Sequence, residues 1–161
     1  MLQTISTPEA MRGHAAIWRK QDLKIGFVPT MGALHEGHLS LVNAATAACD
    51  KTVVSVFVNP RQFTENEDYV RYPRHLDADE FALKETDVDV FYAPTNEVMY
   101  PDGYATTVDV ASMTDLLCGR TRPGHFAGVA TVVTKLLLQV QPTHAFFGEK
   151  DYQQLLIIKR L

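Results

Sequence analysis

Apolar residues recur along the chain with two different spacings, which predict strands alternating with helices. Short runs of apolar and β-branched residues predict strands at 24–29, 52–58, 88–92 and 144–147. Apolar residues at helical spacing predict helices at 8–21, 36–49, 73–86, 126–141 and 151–160. The run 52–58 is almost entirely apolar, as in a strand that is buried on both faces. The stretch 94–124 is rich in proline and glycine, and we expect loops there with one short strand at 106–110.

The order of these elements predicts an α/β fold with one doubly wound parallel sheet and helices on both of its faces. A chain of 161 residues has the length of one domain, so we expect residues 1–161 to form a single domain. In such sheets, ligands bind beyond the carboxyl ends of the strands. Three of these ends carry polar side chains and glycines, at 30–38, 59–63 and 148–154.

Composition and charge exclude several classes of protein. Hydrophobic residues make up 46% of the chain and charged residues 21%, the balance of a globular protein rather than a disordered one. A net charge of −4 without a basic run argues against a nucleic-acid partner. The apolar runs are shorter than the roughly 18 residues of a membrane span, and we expect neither a membrane segment nor a secretory signal. Cys49 and Cys118 form no CxxC pair, which favours a reducing, cytoplasmic setting.

The first strand end combines two glycines with two histidines. Gly32 and Gly37 flank a turn into a helix whose N-terminus can attract an anion. His35 and His38 are three residues apart, so both imidazoles can project beside that N-terminus and donate to phosphate oxygens. The spacing of the glycines matches a P-loop, but the lysine and hydroxyl that should follow are missing, and the histidines are too close for a zinc HExxH motif. The alternative is a tight turn with packed or surface histidines.

The second and third strand ends carry amides and a lysine. Gln62 follows a strand-breaking Asn-Pro pair and can bind a hydroxy acid through a neutral amide, although it also fits a polar loop. Lys150 precedes the last helix, where its ammonium can meet phosphate oxygens. Asp151 and Gln154 have the spacing of a capping box, which would explain both residues without a ligand.

The motifs together resemble those of one family. His35-Glu36-Gly37-His38 is similar to the HxGH signature of the nucleotidyltransferase superfamily. The longer string PTMGALHEGHLSL resembles the pantoate–β-alanine ligase family in particular, and so do FVNPRQF, RYPR, RPGHFAGV and FFGEKDYQQL. The resemblance covers nearly the whole chain. It implies a Rossmann-like domain and a two-step reaction in which ATP activates pantoate as an adenylate that β-alanine then captures, releasing AMP and pyrophosphate.

The resemblance also implies roles for individual residues. His38, His35 and Lys150 would stabilise charge on the phosphates of ATP, which would bind as its Mg²⁺ complex without a metal site of the protein's own. Gln62 and Gln154 would bind pantoate, and Gln62 would also help to place β-alanine. The residues implied to bind ATP are Met31, Gly32, Ala33, Leu34, His35, Glu36, Gly37, His38, Gly148, Glu149, Lys150 and Asp151.

Two features depart from the family pattern, and two other functions stay open. Arg61 stands where the family more often has an apolar or small residue, and it could add a charge near the pantoate pocket. Family members continue into a C-terminal domain that closes over ATP, which nothing in this chain matches, so we expect these residues to fold alone and to be a poor ligase alone. The resemblance also implies a homodimer.

Two other functions stay open besides the ligase. They are a plain HxGH nucleotidyltransferase and a non-catalytic dimerisation or nucleotide-binding fragment. The sequence assigns no role to His125, which starts an apolar helix.

Overall fold

The computed structural model describes residues 1–64, 67, 69–114 and 118–161, and these form one sheet with helices around it. The strands are β1 (Gln3–Ile5), β2 (Ile25–Thr30), β3 (Lys51–Val56), β4 (Val90–Tyr92) and β5 (His144–Ala145). The helices are α1 (Pro8–Lys20), α2 (Glu36–Ala48), α3 (Leu76–Lys84), α4 (Asn96–Met99), α5 (Cys118–Thr121), α6 (His125–Val140) and α7 (Tyr152–Arg160). A 3₁₀ turn, Pro60–Gln62, follows β3.

The sheet is parallel throughout, with the strand order β1-β4-β3-β2-β5. From β2 the chain builds outward through β3 to β4, and it later returns to place β5 on the other side of β2. The strand order therefore reverses between β2 and β5. This arrangement confirms the predicted doubly wound α/β fold and marks the edge at which such sheets bind ligands.

The core has two layers, one on each face of the sheet. On one face, α1 and α6 pack apolar side chains against the sheet, among them Met11, Ala15, Trp18, Val129, Val133 and Leu136. On the other face, α2 and α3 contribute Val42, Ala45 and Leu83. Val53 faces the first layer and its neighbour Val54 faces the second, and both are fully buried. The strand predicted to be buried on both faces is therefore confirmed.

Local signals account for several helix ends. The Thr7 hydroxyl accepts a hydrogen bond from the Ala10 N–H at 3.3 Å, and Pro8 is the first residue of α1. Helix α6 ends at Gln141, which adopts the left-handed conformation (φ 48°) just before Pro142. Among the described residues, every helix is too short or too polar to cross a bilayer.

One strand was not predicted, and two local expectations were wrong. Strand β1 was not predicted, because three residues are too few to show a spacing pattern. Strand β2 was expected to end at Pro29, but it continues to Thr30. Proline is tolerated at position 29 because its N–H would point toward β5, which has already ended, so no hydrogen bond of the sheet is lost. The predicted strand 106–110 is absent. The backbone N–H and carbonyl of Val108 are hydrogen-bonded to the Thr131 hydroxyl on α6 and not to a neighbouring strand. Residues 115–117 of the loop stretch 94–124 lie outside the described residues.

Candidate functional site at the carboxyl edge of the sheet

The carboxyl ends of β2 and β5 lie side by side where the strand order reverses. Phe27 is paired with Ala145, and the Phe146 N–H donates to the Phe27 carbonyl at 2.8 Å. Strand β2 continues to Thr30, while β5 ends at Ala145 and the chain reaches Gly148 three residues later. The loop that carries the two histidines and the loop that carries Lys150 therefore leave the sheet from neighbouring positions, as expected for a single ligand site.

The loop after β2 makes a tight left-handed turn. Gly32 has φ 87° and Ala33 has φ 51°. The Thr30 hydroxyl accepts from the Gly32 N–H at 3.1 Å and donates to the Ser55 carbonyl at 2.8 Å, which ties the turn to β3. A Cβ atom at Gly32 would lie 2.8 Å from Oδ2 of Asp79. The turn needs glycine here both for its backbone angle and for the close approach of this carboxylate.

Asp79, on α3, holds the same loop and was not predicted as a site residue. Its side chain is almost fully buried; Oδ1 accepts from the Leu34 N–H at 2.7 Å and Oδ2 accepts from the Ala33 N–H at 3.1 Å. Two charge-assisted hydrogen bonds to consecutive amides fix the loop conformation. In the sequence, Asp79 reads only as one of the acidic residues that stabilise the first turn of a helix.

The two histidines come together at the start of α2, as predicted. Their ring centroids are 4.1 Å apart. His35 is the N-cap residue, and its Nδ1 accepts from the Gly37 N–H at 3.1 Å, which leaves the ring proton on Nε2. A Cβ atom at Gly37 would lie 2.9 Å from the His35 ring, so glycine gives the imidazole room to cap the helix.

His38 is the more enclosed of the two histidines. It is half-buried, and among the described residues its buried Nδ1 has no hydrogen-bond partner. Burial lowers the pKa of His38, the nearby His35 lowers it further, and the Asp79 carboxylate opposes both effects. His38 is therefore neutral at pH 7 and can act as a hydrogen-bond donor or acceptor but not as a fixed positive charge.

Gln62 is buried in the 3₁₀ turn, and a network of hydrogen bonds fixes which way its amide points. The Tyr100 hydroxyl donates to Oδ1 of Asn59 at 2.8 Å, so the Asn59 amide nitrogen faces the other way. That nitrogen donates to Gln62 Oε1 and to the Gly128 carbonyl, each at 3.1 Å. The Gln62 nitrogen is therefore the free end of the amide on the side of Met31, and it donates to the Met31 sulfur at 2.9 Å. Neither Asn59 nor Tyr100 was predicted to belong to the site, because both act through residues distant in the sequence or through the turn itself.

The Gln62 turn rests on the first part of α6. A Cβ atom at Gly128 would lie only 2.2 Å from the Arg61 carbonyl oxygen and 2.8 Å from Cα of Gln62. His125, in the first turn of the same helix, has its Nδ1 2.7 Å from the Gln62 carbonyl oxygen. Helix α6 thus contacts the turn through backbone atoms that only a small residue permits.

The Arg61 guanidinium packs against two tyrosine rings. Its guanidinium lies 5.0 Å from the ring centroid of Tyr100 and 4.7 Å from that of Tyr104, and it donates to the Tyr104 carbonyl at 3.3 Å. The ammonium of Lys135 lies 4.2 Å from the Tyr104 centroid. The residue that departs from the family pattern is held against aromatic rings beside the Gln62 turn.

The segment after β5 is the most open part of this edge. Gly148, Glu149, Lys150 and Asp151 are all exposed, and Gln154 is half-buried in the first turn of α7. Asp151 makes no side-chain bond to the helix start, and its ψ of 69° lies outside the extended geometry of a capping residue. The capping-box interpretation of Asp151 and Gln154 was therefore wrong, and capping does not account for either side chain.

A small cavity lies beside these loops. It has a volume of about 150 Å³ and is enclosed by residues that follow β2, β3 and β4, together with Asp79 and Arg74. Met31 lines it, but His35, His38 and Lys150 do not. His35 and Lys150 are exposed, and His38 is half-buried. Among the described residues, no three His, Cys, Asp or Glu side chains are grouped so as to hold a metal ion.

A parallel sheet whose strand order reverses beside a glycine-containing turn into a helix defines an α/β domain of the class that binds ligands at the carboxyl edge of its sheet, and the chain is of this class. Within that class, the family model of pantoate-beta-alanine ligase matches residues 3–161. The chain belongs to this family.

Individual relatives agree with the family match. The chain is 55% identical over 161 residues to the pantothenate synthetase of Moorella thermoacetica and 56% identical over 151 residues to that of Paramagnetospirillum magneticum. It covers 56% and 53% of these proteins, so it spans about half the length of the curated relatives it matches.

Two solved structures share the fold. A pantothenate synthetase from Thermus thermophilus matches 99% of this chain with a TM-score of 0.91 and 52% identity; the match covers 56% of that protein. A pantoate-beta-alanine ligase from Francisella tularensis, complexed with beta-gamma ATP and beta-alanine, matches 99% of this chain with a TM-score of 0.93 and 42% identity, and the match covers 61% of that protein.

Proposed function

We propose that residues 1–161 form the ATP- and pantoate-binding domain of a pantoate–β-alanine ligase. The observation that carries the proposal is the pairing of an HxGH turn with a fixed neutral amide at neighbouring strand ends, where the Gln62 nitrogen lies 2.9 Å from the sulfur of Met31 in the histidine loop. Family membership and the relative complexed with beta-gamma ATP and beta-alanine support the assignment of the ligands.

The reaction has two steps. In the first, a carboxylate oxygen of pantoate attacks the α-phosphorus of ATP, the bond to the bridging oxygen breaks, and pyrophosphate leaves. In the second, the neutral amine of β-alanine attacks the carbonyl carbon of the adenylate, AMP leaves, and the nitrogen loses a proton to give the amide. A carboxylate is already ionised at pH 7, so the first step needs no protein nucleophile. Catalysis then depends on positioning and on stabilising charge at the phosphates.

The loop that Asp79 fixes and the exposed segment after β5 would bind ATP from two sides, through residues 31–38 and 148–151. His35 and His38 would donate hydrogen bonds to phosphate oxygens at the N-terminus of α2, where the helix dipole adds to the attraction. Lys150 would supply the positive charge that the neutral His38 does not. This division suits a site in which the phosphates gain charge during the reaction.

Gln62 and Gln154 would bind pantoate, and Gln62 would also help to place β-alanine. The hydrogen-bond network occupies the Gln62 oxygen, so the nitrogen would be the group that donates to pantoate. A neutral donor can bind the hydroxyl or the carboxylate of pantoate and leave the negative charge of the carboxylate in place. An arginine would instead neutralise that charge by forming an ion pair. The carboxylate would therefore keep the nucleophilic character that the first step needs.

We also propose that ATP enters as its Mg²⁺ complex, that the protein works in the cytoplasm, and that it is a homodimer with no nucleic-acid or membrane partner. The absence of a basic run in the sequence and the mild net charge of −4 support small-molecule substrates. The family resemblance supports the dimer. Light scattering on the full-length protein tests the dimer, and the Mg²⁺ dependence of adenylation tests the metal complex.

The decisive experiment is isotope exchange between ATP and pyrophosphate, measured in the full-length protein. Exchange should require pantoate but not β-alanine. His38→Ala should lower the exchange rate by about 10²-fold, as expected for a lost donor to a charge that develops in the transition state. His14→Ala is the matched control, because His14 lies on α1 and packs against Trp18, in a helix that precedes β2. Exchange that proceeds equally well without pantoate would contradict the ligase and favour a plain nucleotidyltransferase.

A further inference from the structure

His125 is a buried histidine whose hydrogen-bond partners determine its protonation state. Its Nε2 lies 3.0 Å from Nη1 of Arg122, and its Nδ1 lies 2.7 Å from the Gln62 carbonyl oxygen. A guanidinium nitrogen can only donate, so Nε2 must accept. A carbonyl oxygen can only accept, so the ring proton is on Nδ1. The two neighbours together permit one neutral tautomer.

Arg122 is held in place by a further charged partner. Its Nη2 lies 2.6 Å from Oε1 of Glu67, and Oε2 of Glu67 accepts from the backbone and the hydroxyl of Thr64 at 2.8 and 3.1 Å. A continuous chain of hydrogen bonds therefore runs from Thr64, two residues after Gln62, through Glu67, Arg122 and His125 back to the Gln62 carbonyl. The chain closes around the end of the 3₁₀ turn.

Helix α6 also binds the other end of the 3₁₀ turn, at Asn59. The Gly128 carbonyl accepts from the Asn59 amide at 3.1 Å, and Gly128 and His125 are three residues apart on α6. The turn is thus anchored to one face of α6 at both Asn59 and Gln62. Of these two hydrogen bonds, the one from His125 is made to the backbone of Gln62 itself.

We propose that His125 is a positioning residue for Gln62, whose carbonyl it holds against α6 so that the amide nitrogen meets pantoate in a fixed place. This inference rests on the proposed function, which assigns pantoate to Gln62 and gives His125 no role of its own. An apolar residue could fill the same space, but it would leave the Gln62 carbonyl and the Arg122 donor without a partner.

The charges around His125 favour the state that this role needs. Burial lowers the pKa of His125, the Gln62 carbonyl raises it, Arg122 lowers it, and the Glu67 and Asp151 carboxylates raise it, with a net lowering. The imidazole also packs against the aromatic ring of Phe126, with centroids 4.8 Å apart. The imidazole is neutral at pH 7 and keeps Nε2 available to Arg122.

The test uses three variants of the full-length protein in the pantoate-dependent exchange assay. His125→Ala removes both hydrogen bonds. His125→Asn keeps an amide N–H near the position of Nδ1 and so can still donate to the Gln62 carbonyl. His14→Ala is the control for a histidine on another helix. His125→Ala should raise the KM for pantoate about tenfold and change the KM for ATP by less than about twofold, while His125→Asn should stay within about threefold of the wild type for both.

A second measurement does not depend on catalysis. ¹⁵N NMR of the histidine-labelled full-length protein at pH 7 should show His125 as the Nδ1–H tautomer, which a residue that only fills space has no reason to adopt. The inference is overturned if His125 is protonated or carries its proton on Nε2, if His125→Asn is as impaired as His125→Ala, or if the KM values for pantoate and ATP rise together. A wild type without pantoate-dependent exchange would instead overturn the proposed function, whatever the tautomer.

Discussion

Replacing Gly128 by alanine should disrupt the Gln62 turn while changing nothing that touches a ligand. The added Cβ would lie 2.2 Å from the Arg61 carbonyl oxygen, 2.6 Å from its carbon and 2.8 Å from Cα of Gln62. These are backbone atoms and cannot rotate away. Ordinary contacts of a Cβ begin at 3.4 Å, so α6 and the turn must separate by about 1 Å.

Two effects of opposite sign decide the size of the change. Alanine is favoured over glycine within a helix by about 1 kcal/mol. Overpacking at a close contact costs about 1–3 kcal/mol, and the separation also weakens the hydrogen bond from Asn59 to the Gly128 carbonyl, worth about 1 kcal/mol. The cost of the close contact exceeds the gain in helix propensity, and we expect Gly128→Ala to destabilise the protein by about 2 kcal/mol. The KM for pantoate should rise, because the Gln62 amide moves with the turn.

Gly13→Ala is the matched control, because Gly13 also lies within a helix but an added Cβ there would meet no atom within 4 Å. It should stabilise the protein by about 0.5–1 kcal/mol and leave pantoate binding unchanged. Urea denaturation of the three full-length proteins and their pantoate KM values provide the comparison. If Gly128→Ala gains stability as Gly13→Ala does, the close packing of α6 on the turn is refuted.

Three further results are expected. Asp79→Ala should destabilise the full-length protein to urea by about 2 kcal/mol, because two loop amides lose a buried charged acceptor, and it should weaken ATP binding more than pantoate binding in calorimetry. Alanine at Gln62 or at Gln154 should raise the KM for pantoate more than that for ATP; an equal rise for both ligands would indicate a folding role. Burial lowers the pKa values of His38 and His125 below the ordinary 6.5 in the folded protein. As the pH falls, these two histidines are therefore protonated in the unfolded chain before they are protonated in the folded one. The free energy of unfolding should therefore fall as the pH drops through 6.5, and His125→Asn should make that fall shallower in urea titrations at stepped pH values.

The features that could be predicted from the sequence are those that neighbouring residues determine. The two layers of the core follow from apolar spacing, as at Val53 and Val54, which alternate between the faces of the sheet. The pairing of His35 and His38 follows from their three-residue spacing at a helix start, and the structure places the rings 4.1 Å apart. Each of these features needs only a short stretch of chain and one type of secondary structure.

The features that could not be predicted depend on residues far apart in the chain. Asp79 binds loop amides 45 and 46 residues away, and Asn59 binds the Gly128 carbonyl 69 residues away. The absence of the strand at 106–110 has the same origin, since Thr131 takes the backbone bonds of Val108. Asp151 failed to cap α7 although its spacing to Gln154 was correct, because the chain enters that helix with a ψ outside the capping range.

The residues proposed to meet the ligands and the residues that position them therefore come from different parts of the fold. The HxGH turn and Gln62 follow strands β2 and β3, while Asp79 and Gly128 belong to helices on opposite faces of the sheet, α3 and α6. A chain that kept the HxGH turn and Gln62 but lost Asp79 should have displaced loop amides, and one that lost Gly128 should have a displaced Gln62 nitrogen. Because an error of about 1 Å in placing reacting groups can cost about 10²-fold in rate, we expect substitutions of these two supporting residues to impair the proposed reaction about as strongly as substitutions of the motif residues.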